Sequence, residues 1–232
     1  MIRHPDRYLA LLAACALASA CRHLAPAPAL SPDWQALAGE GGAFIALYRL
    51  SCCAHRDLLA TVRGGETGVL VTAVAPPGVT VLECWLEEGG VWLADQQARC
   101  RRFVPRGSLP LPDGTVLPLD HRMAAALLAG RLPPGGSEDR QAGWVSGVAG
   151  QWRWRAQVSG SPPRCGRFEL ASLGTGEVVL EAELANHHGS VPGTLTLRVG
   201  GTRLSATLEA WRSGAGVLQP PLLAEPECAG GA

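Results

Sequence analysis

The chain has 232 residues, of which 20 are basic and 20 acidic, so its formal net charge is zero. A neutral chain without a basic patch is not a candidate for nucleic-acid binding, and without an acidic tract it shows no sign of a charged disordered tail. Hydrophobic residues make up 47% of the chain, which is enough for one domain with a buried core.

The first twenty residues have the pattern of an export signal. Arg3 and Arg7 form a short basic head, and an apolar run extends from residue 8 to residue 20. This run is shorter than the roughly 20 apolar residues that cross a bilayer as a helix, and it ends in small residues, as signal peptides do before their cleavage site. We therefore predict a signal peptide over residues 1–20.

Cys21 follows directly after Ala18-Ser19-Ala20, an arrangement that resembles the lipobox of bacterial lipoproteins. The resemblance implies that Cys21 carries lipid on its sulfur, palmitate for example, and is acylated on its new amine. Lipoboxes usually have leucine where this chain has Ala18. The alternative is an ordinary secretory signal that is cut elsewhere, with Cys21 an incidental thiol. Residues 21–39, rich in Pro and Ala after Cys21, are predicted to form an extended tether.

Short segments of alternating polar and apolar residues dominate the rest of the chain, a pattern typical of strands with one buried face. In the first half the predicted strands are 43–50, 57–63, 68–74, 79–87 and 90–95. Some of these are apolar on both faces, which indicates that a helix covers them. In the second half the predicted strands are 151–158, 167–170, 177–184, 194–199 and 203–210.

A helix is predicted from Asp120 to Gly130, with Asp120 as its N-cap and Met123 and Leu127 on its apolar side. Gly130 and the prolines after it end the helix. A second short helix is predicted over residues 33–38. The sequence therefore predicts a mainly β (α+β) domain over residues 40–212, an antiparallel unclosed β-barrel or highly curved sheet of about ten strands covered by one or more helices. Residues 213–232 are predicted to be a loose C-terminal tail.

Six cysteines follow the predicted lipidation site. Export would place them in an oxidising compartment, where disulfides are the default expectation, but six cysteines allow fifteen pairings and the sequence does not choose among them. Cys52-Cys53-Ala54-His55 and His187-His188 lack the spacing that positions several ligands around one ion. We expect no metal and no cofactor. The cysteines are Cys52, Cys53, Cys84, Cys100, Cys165 and Cys228.

Three segments, taken in order, resemble the LolA/LolB-like lipoprotein-carrier fold. A strand series reaches Pro76-Pro77-Gly78-Val79-Thr80-Val81-Leu82-Glu83-Cys84-Trp85-Leu86. Gly90-Val91-Trp92-Leu93-Ala94-Asp95 is similar to a strand and turn of that family, and the segment from Leu117 to Pro133 looks like its helix. The resemblance covers about residues 40–212 and implies an unclosed barrel with helices as a lid, which binds acyl chains in its apolar interior.

The resemblance also implies a location. Arg22 follows Cys21, whereas enteric lipoproteins retained in the inner membrane have aspartate at that place. The expected location is therefore the periplasmic face of the outer membrane, with the lipid on Cys21 as the anchor.

The aromatic residues indicate a candidate cavity. The chain has seven tryptophans against three phenylalanines and two tyrosines. Trp152 and Trp154 share the apolar face of one predicted strand, which in a curved sheet would face the interior. We predict a cavity lined by Leu82, Leu86, Trp152 and Trp154. The alternative is that the tryptophans only pack the core.

No catalytic motif is present: the sequence has no GxSxG elbow, no phosphate-binding glycine loop and no HExxH. The absence of these motifs favours a non-catalytic role, and the resemblance to the lipoprotein-carrier fold implies handling of lipid or lipoprotein cargo in the bacterial envelope. The alternative is a structural or assembly lipoprotein that holds an envelope protein, for example through an open sheet edge, without lipid cargo.

Overall fold

A computed structural model describes residues 32–35, 37, 42–52, 55–95, 99–105, 108–110, 116–118, 120–138 and 143–214. The predicted signal peptide, the predicted lipidation site Cys21 and most of the predicted tail lie outside these residues. Within the described part of the chain, no helix is long and apolar enough to span a membrane.

The described residues form two helices and fifteen strands. The helices are α1 (Pro32–Gln35) and α2 (His121–Leu128). The strands are β1 (Phe44–Cys52), β2 (His55–Gly65), β3 (Gly68–Ala75), β4 (Val79–Glu87), β5 (Gly90–Asp95), β6 (Cys100–Pro105), β7 (Ser108–Pro110), β8 (Val116–Pro118), β9 (Ser137–Glu138), β10 (Trp144–Ala149), β11 (Trp152–Ser159), β12 (Arg164–Ser172), β13 (Val178–Ala185), β14 (Thr194–Val199) and β15 (Thr202–Ser213).

Thirteen strands form one sheet in the order β6-β5-β4-β3-β2-β1-β15-β14-β13-β12-β11-β10-β9. All of the pairs are antiparallel, and β7 and β8 form a separate hairpin. The two ends of the sheet, β6 and β9, do not pair with each other. The predicted antiparallel, unclosed and mainly β fold is therefore confirmed.

The β7–β8 hairpin shows that the sheet is strongly curved. Strand β7 contacts β5 and β6, whereas β8 contacts β13. In a flat sheet β5 and β13 would be about 34 Å apart, seven strand spacings. The narrow β7–β8 hairpin can contact both β5 and β13 only because the sheet curves around it.

The sheet has more strands than predicted, and β10 shows why. Its inward positions are Val145, Gly147 and Ala149, which pair with Ala156, Trp154 and Trp152 of β11. These inward side chains are small because the tryptophan indoles opposite need the space. A strand face of such small residues does not stand out in the sequence as an alternating apolar pattern.

The N-terminal end of α2 has the predicted cap. The carboxylate of Asp120 accepts a hydrogen bond from the backbone N–H of Met123 at 2.7 Å. The helix ends at Leu128 with Ala129 as its C-cap, and Gly130 after it has a φ of +67° in the left-handed region, the usual pattern at a helix C-terminus. The predicted helix is confirmed. The short helix α1 also exists, although it begins and ends earlier than predicted.

One face of the sheet, which carries Phe44, Ala46 and Tyr48, is called here the inner face. Its side chains and those of α2 form one apolar core that extends from Val91 of β5 to Val145 of β10. The outer face of β12–β14 is charged instead. There Arg167 and Arg198 both approach Glu181, at 3.4 and 3.9 Å. One face of these strands is buried and apolar and the other is charged and exposed to solvent, which explains the alternation of apolar and polar residues in the second half of the sequence.

Replacing Gly130 by alanine should destabilise the fold strongly. A Cβ at this position would collide with the backbone carbonyl oxygen of Ser190. Gly135 is a matched control, because its φ is +78° and a Cβ there meets open space. In urea unfolding we expect Gly135→Ala to cost about 1 kcal/mol from backbone strain alone, and Gly130→Ala about 3 kcal/mol. Equal losses of unfolding free energy in the two variants would contradict the close packing of the end of α2 against the loop that contains Ser190.

Candidate functional site

The four predicted cavity residues all lie on the inner face. Leu82 and Leu86 pair with inner-face residues of β3, and Trp152 and Trp154 pair with inner-face residues of β12. Leu86 and Trp154 belong to the buried core, and Trp152 packs against it. Leu82 is half-buried. The structure thus orients all four toward the interior, and their role as a cavity lining stays a prediction.

Trp154 occupies a slot made by two glycines. A Cβ on Gly147, its partner on β10, or on Gly136 would overlap the indole ring. The ring also stacks on Phe168 of β12, with centroids 6.2 Å apart. The indole Nε1–H is buried and has no hydrogen-bond partner among the described residues. A buried donor without an acceptor costs about 1–3 kcal/mol, so this N–H is an available donor inside an apolar environment.

The helix α2 covers part of the inner face. Its buried side chains Met123, Ala124, Ala125 and Leu127 belong to the core, and the helix contacts β3. The hydroxyl of Tyr48 donates to the carbonyl oxygen of Leu128 at 3.4 Å. Burial raises the pKa of Tyr48, so this hydroxyl stays protonated and remains a donor.

The chain that follows α2 is tied to the turn after α1. The backbone N–H of Leu132 donates to the carbonyl oxygen of Leu37 at 2.8 Å. Leu37 is buried in the same core as α2. The N-terminal turn, α2 and the β7–β8 hairpin therefore cover one side of the curved sheet together.

Two clefts among the described residues lie away from the predicted lining. One, of about 220 Å³, lies on the outer face between β2 and β3, lined by Thr61, Arg63, Leu70 and Thr72. The other, of about 260 Å³, lies between the start of α2 and the β10–β11 turn, lined by Asp120, Arg122, Met123, Pro133, Pro134, Val148, Ala149 and Gly150. The interior around Trp154 is filled by the protein's own side chains.

The expectation of disulfides is wrong for two cysteines. Cys84 and Cys165 are free thiols buried in the core. Burial raises the pKa of each thiol to about 12, so both remain neutral and unreactive while the protein is folded. Cys100, by contrast, is disulfide-bonded, and its partner lies outside the side chains that the structure describes.

His187 has a structural contact. Its Nε2 lies 3.0 Å from the carbonyl oxygen of Cys165. Its pKa is lowered from the ordinary value, mainly because burial disfavours the charged ring and also because Arg164 is nearby. Among the described residues, no three His, Cys, Asp or Glu side chains are grouped to hold a metal ion. The side chains of the Cys52–His55 segment lie outside the description.

An aromatic cluster on the outer face was not predicted. The indole N–H groups of Trp85 and Trp92 donate to the two carboxylate oxygens of Glu87, at 3.0 and 3.2 Å. Phe103 packs on Trp92 with centroids 4.8 Å apart, and the Arg101 guanidinium lies 4.7 Å from the Trp92 ring centroid. A sequence signal did exist: Trp85 and Trp92 are symmetrically placed around a glycine turn, so they pair across the hairpin.

Solved structures of low sequence identity share this fold. A Vibrio parahaemolyticus domain, described as an outer membrane lipoprotein-sorting protein domain, aligns with a TM-score of 0.54 over 81% of this chain and 92% of its own, at 12% identity. A LolA superfamily protein from Nitrosomonas europaea aligns with a TM-score of 0.52 over 80% of this chain and 92% of its own length, also at 12% identity. The chain has the LolA-like fold.

The resemblance predicted from the sequence is therefore confirmed at the level of the fold. No family model and no curated protein matches the sequence. The LolA-like fold accounts for the main architectural features of the chain, namely the unclosed sheet, the covering helix and the apolar inner face.

Stability should fall on acidification, in part through His187. Because its pKa is lowered in the fold, the unfolded state binds the proton more readily, and stability is lost as the pH falls from about 6.5 toward the lower folded pKa. His187→Gln retains an N–H donor for Cys165 without the titrating ring. We expect the urea midpoint to drop less between pH 7.5 and pH 5 in His187→Gln than in the unmodified protein. The matched control is His188→Gln, at the exposed neighbouring position. Its urea midpoint should drop as much as that of the unmodified protein. An identical dependence of the urea midpoint on pH in all three proteins would refute the role of His187.

Proposed function

We propose that this chain is a membrane-anchored, non-catalytic lipoprotein that handles acyl chains of lipid or lipoprotein cargo at the periplasmic face of the outer membrane. The observation that carries the proposal is the apolar inner face of an unclosed, curved sheet, covered by a short helix. The proposal is supported by the fold shared with a domain described as lipoprotein-sorting.

Because the interior is filled, cargo has to take the place of covering side chains. Half of the buried residues of α2 are alanines, so moving this helix away exposes less apolar area than moving a leucine-rich helix would. Each methylene of an acyl chain that enters contributes about 0.8 kcal/mol. A long chain can therefore offset the loss of the contacts of α2.

Trp154 suits a cargo that has both an apolar chain and a carbonyl group. Its ring supplies apolar surface, and its buried Nε1–H has no acceptor among the described residues. The carbonyl oxygen of an ester- or amide-linked acyl chain is an acceptor of the right kind. Binding of such a group would remove the cost of the unpaired donor.

The test compares two half-buried tryptophans on opposite faces, Trp152 on the inner face and Trp92 on the outer face. Palmitate in increasing amounts should shift the tryptophan fluorescence of the unmodified protein. Trp152→Ala should weaken palmitate binding about tenfold, the effect of losing roughly 1.4 kcal/mol of apolar contact. Trp92→Ala should leave the affinity unchanged. An unchanged spectrum, together with no lipid in native mass spectra of the membrane-extracted protein, would rule out acyl cargo.

The proposed anchor is the lipid on Cys21, followed by a tether. Stable attachment needs at least two acyl chains, since one gives only marginal binding. Cys21→Ser removes the sulfur to which lipid would be attached, so the protein should move from the membrane to the soluble fraction and lose the mass of its acyl chains. Cys15→Ser lies inside the predicted leader, so it should change neither the membrane location nor the mass of the mature protein. If Cys21→Ser stays on the membrane, Cys21 is not the anchor.

A second candidate function is structural, namely the holding of an envelope protein partner without lipid cargo. The filled interior favours it, as do exposed apolar side chains outside the core. Among the described residues of the first half, the exposed large hydrophobic side chains are Leu59, Val79, Val81 and Phe103. Recovery of a stoichiometric protein partner, with no bound lipid, from the membrane-extracted protein would favour this function over acyl handling.

A further inference from the structure

We propose that the cleft between the start of α2 and the β10–β11 turn is the site at which the acyl chain of an amphiphile enters the domain, while its polar head stays at the rim of the cleft. This inference rests on the proposed function and adds to it a place of entry and a class of cargo.

The cleft adjoins the apolar core. Of its eight lining residues, Met123 belongs to the core and Ala149 packs against it. None of the four residues that line the cleft on the outer face of β2 and β3 belongs to the core or packs against it. The cleft beside α2 is therefore the one of these two from which a chain reaches the interior by displacing few side chains.

Small inner-face side chains continue from the cleft along β10. Ala149 pairs with Trp152 of β11, and Gly147, the next inner-face position of β10, pairs with Trp154. The tryptophans do not line the cleft itself. An acyl chain that passes Ala149 meets the half-buried ring of Trp152 first and the fully buried ring of Trp154 next. The unpaired Nε1–H of Trp154 lies further along the same route.

Met123 separates the cleft from the core. Its side chain lines the cleft and is only 2% exposed. A methionine side chain is unbranched and has three rotatable bonds, so it adapts its conformation easily. The walls beside it are stiffer, because Pro133 and Pro134 have a fixed φ and the Asp120 carboxylate holds the first turn of α2. Movement of the Met123 side chain is therefore the step that opens the route.

The cleft has a charged rim and an apolar floor. Asp120 and Arg122 are exposed at the start of α2, whereas Met123, Ala149 and two prolines supply apolar surface. Pockets that enclose a whole drug-sized ligand measure roughly 300–1,000 Å³. The cleft measures about 260 Å³, so it holds only part of an acyl chain. This arrangement suits a single chain that continues inward from a polar head at the rim.

Photo-crosslinking locates the head of the bound chain. The probe is a palmitate analogue with a photoreactive diazirine beside its carboxylate, added to the full mature protein. We expect crosslinks in the tryptic peptides 123–131 and 141–153, which contain the cleft residues Met123 and Val148. Crosslinks confined to peptide 64–99, which contains Leu70 and Thr72 of the outer-face cleft, would overturn the proposal.

A larger side chain in the cleft should slow entry without changing affinity. Val148 lines the cleft and is 58% exposed, so Val148→Phe obstructs the cleft without disturbing the core. In stopped-flow fluorescence, Val148→Phe should slow both association and dissociation of palmitate about three- to tenfold, because an obstructed route hinders both directions alike. The dissociation constant should stay the same. Val79→Phe is the matched control, at a valine that is 59% exposed on β4, and should leave both rates unchanged.

Removal of the barrier should have the opposite effect. Met123→Ala should speed palmitate association about threefold or more, because the route is then open without a side-chain movement. Leu127→Ala is the control on the same helix, since Leu127 is equally buried at 2% exposure and does not line the cleft. Urea unfolding shows whether both variants are folded at the assay temperature. Equal acceleration in the two variants would overturn the assignment of Met123 as the barrier.

The outcomes separate this inference from the proposed function. Normal palmitate binding together with unchanged rates in Val148→Phe would overturn the entry site and leave acyl handling intact. An unmodified protein that binds no palmitate would overturn both. Loss of a co-purified protein partner in Val148→Phe, with palmitate rates unchanged, would assign the cleft to a protein contact and would likewise overturn the entry site.

Discussion

The pairing of β1 with β15 holds the two halves of the sheet together. Strands β1–β6 and β9–β15 are two meanders of sequence neighbours, and within the sheet only the β1–β15 pair joins them. The ring of Phe44 reinforces this junction, since it stacks on Trp211 of β15 at 4.5 Å and fills the space above Gly64 of β2. Without this junction the two meanders would share no hydrogen bonds among the described strands, and the inner face could not form one continuous core.

Continuity of the core has a consequence for function. The same apolar side chains that suit an acyl chain already pack against each other, and Trp154 fits closely between two glycines. Protein interiors tolerate little empty volume, so a carrier of this fold must exchange internal contacts for cargo contacts. The helix α2, with three alanines among its six buried residues, is the covering element for which we propose this exchange. An interior that never exchanges them would leave the outer face and the sheet edge as the working surfaces.

The edge of the sheet at β6 is a second feature that bears on function. An unclosed sheet leaves backbone groups unpaired along its edges, and such edges invite pairing with other chains.

The sequence by itself determined the class of fold, because alternation of polar and apolar residues and the Asp120 cap are local signals. It also oriented Leu82, Leu86, Trp152 and Trp154 toward the interior, since side chains alternate strictly along a strand. Only the tertiary structure decided what the interior contains, because whether space stays open depends on contacts between residues far apart in the chain. The slot of Trp154 and the free thiols of Cys84 and Cys165 arise from such contacts. Strand β10 was missed because its inward residues are small, which only the indoles that pack opposite them explain.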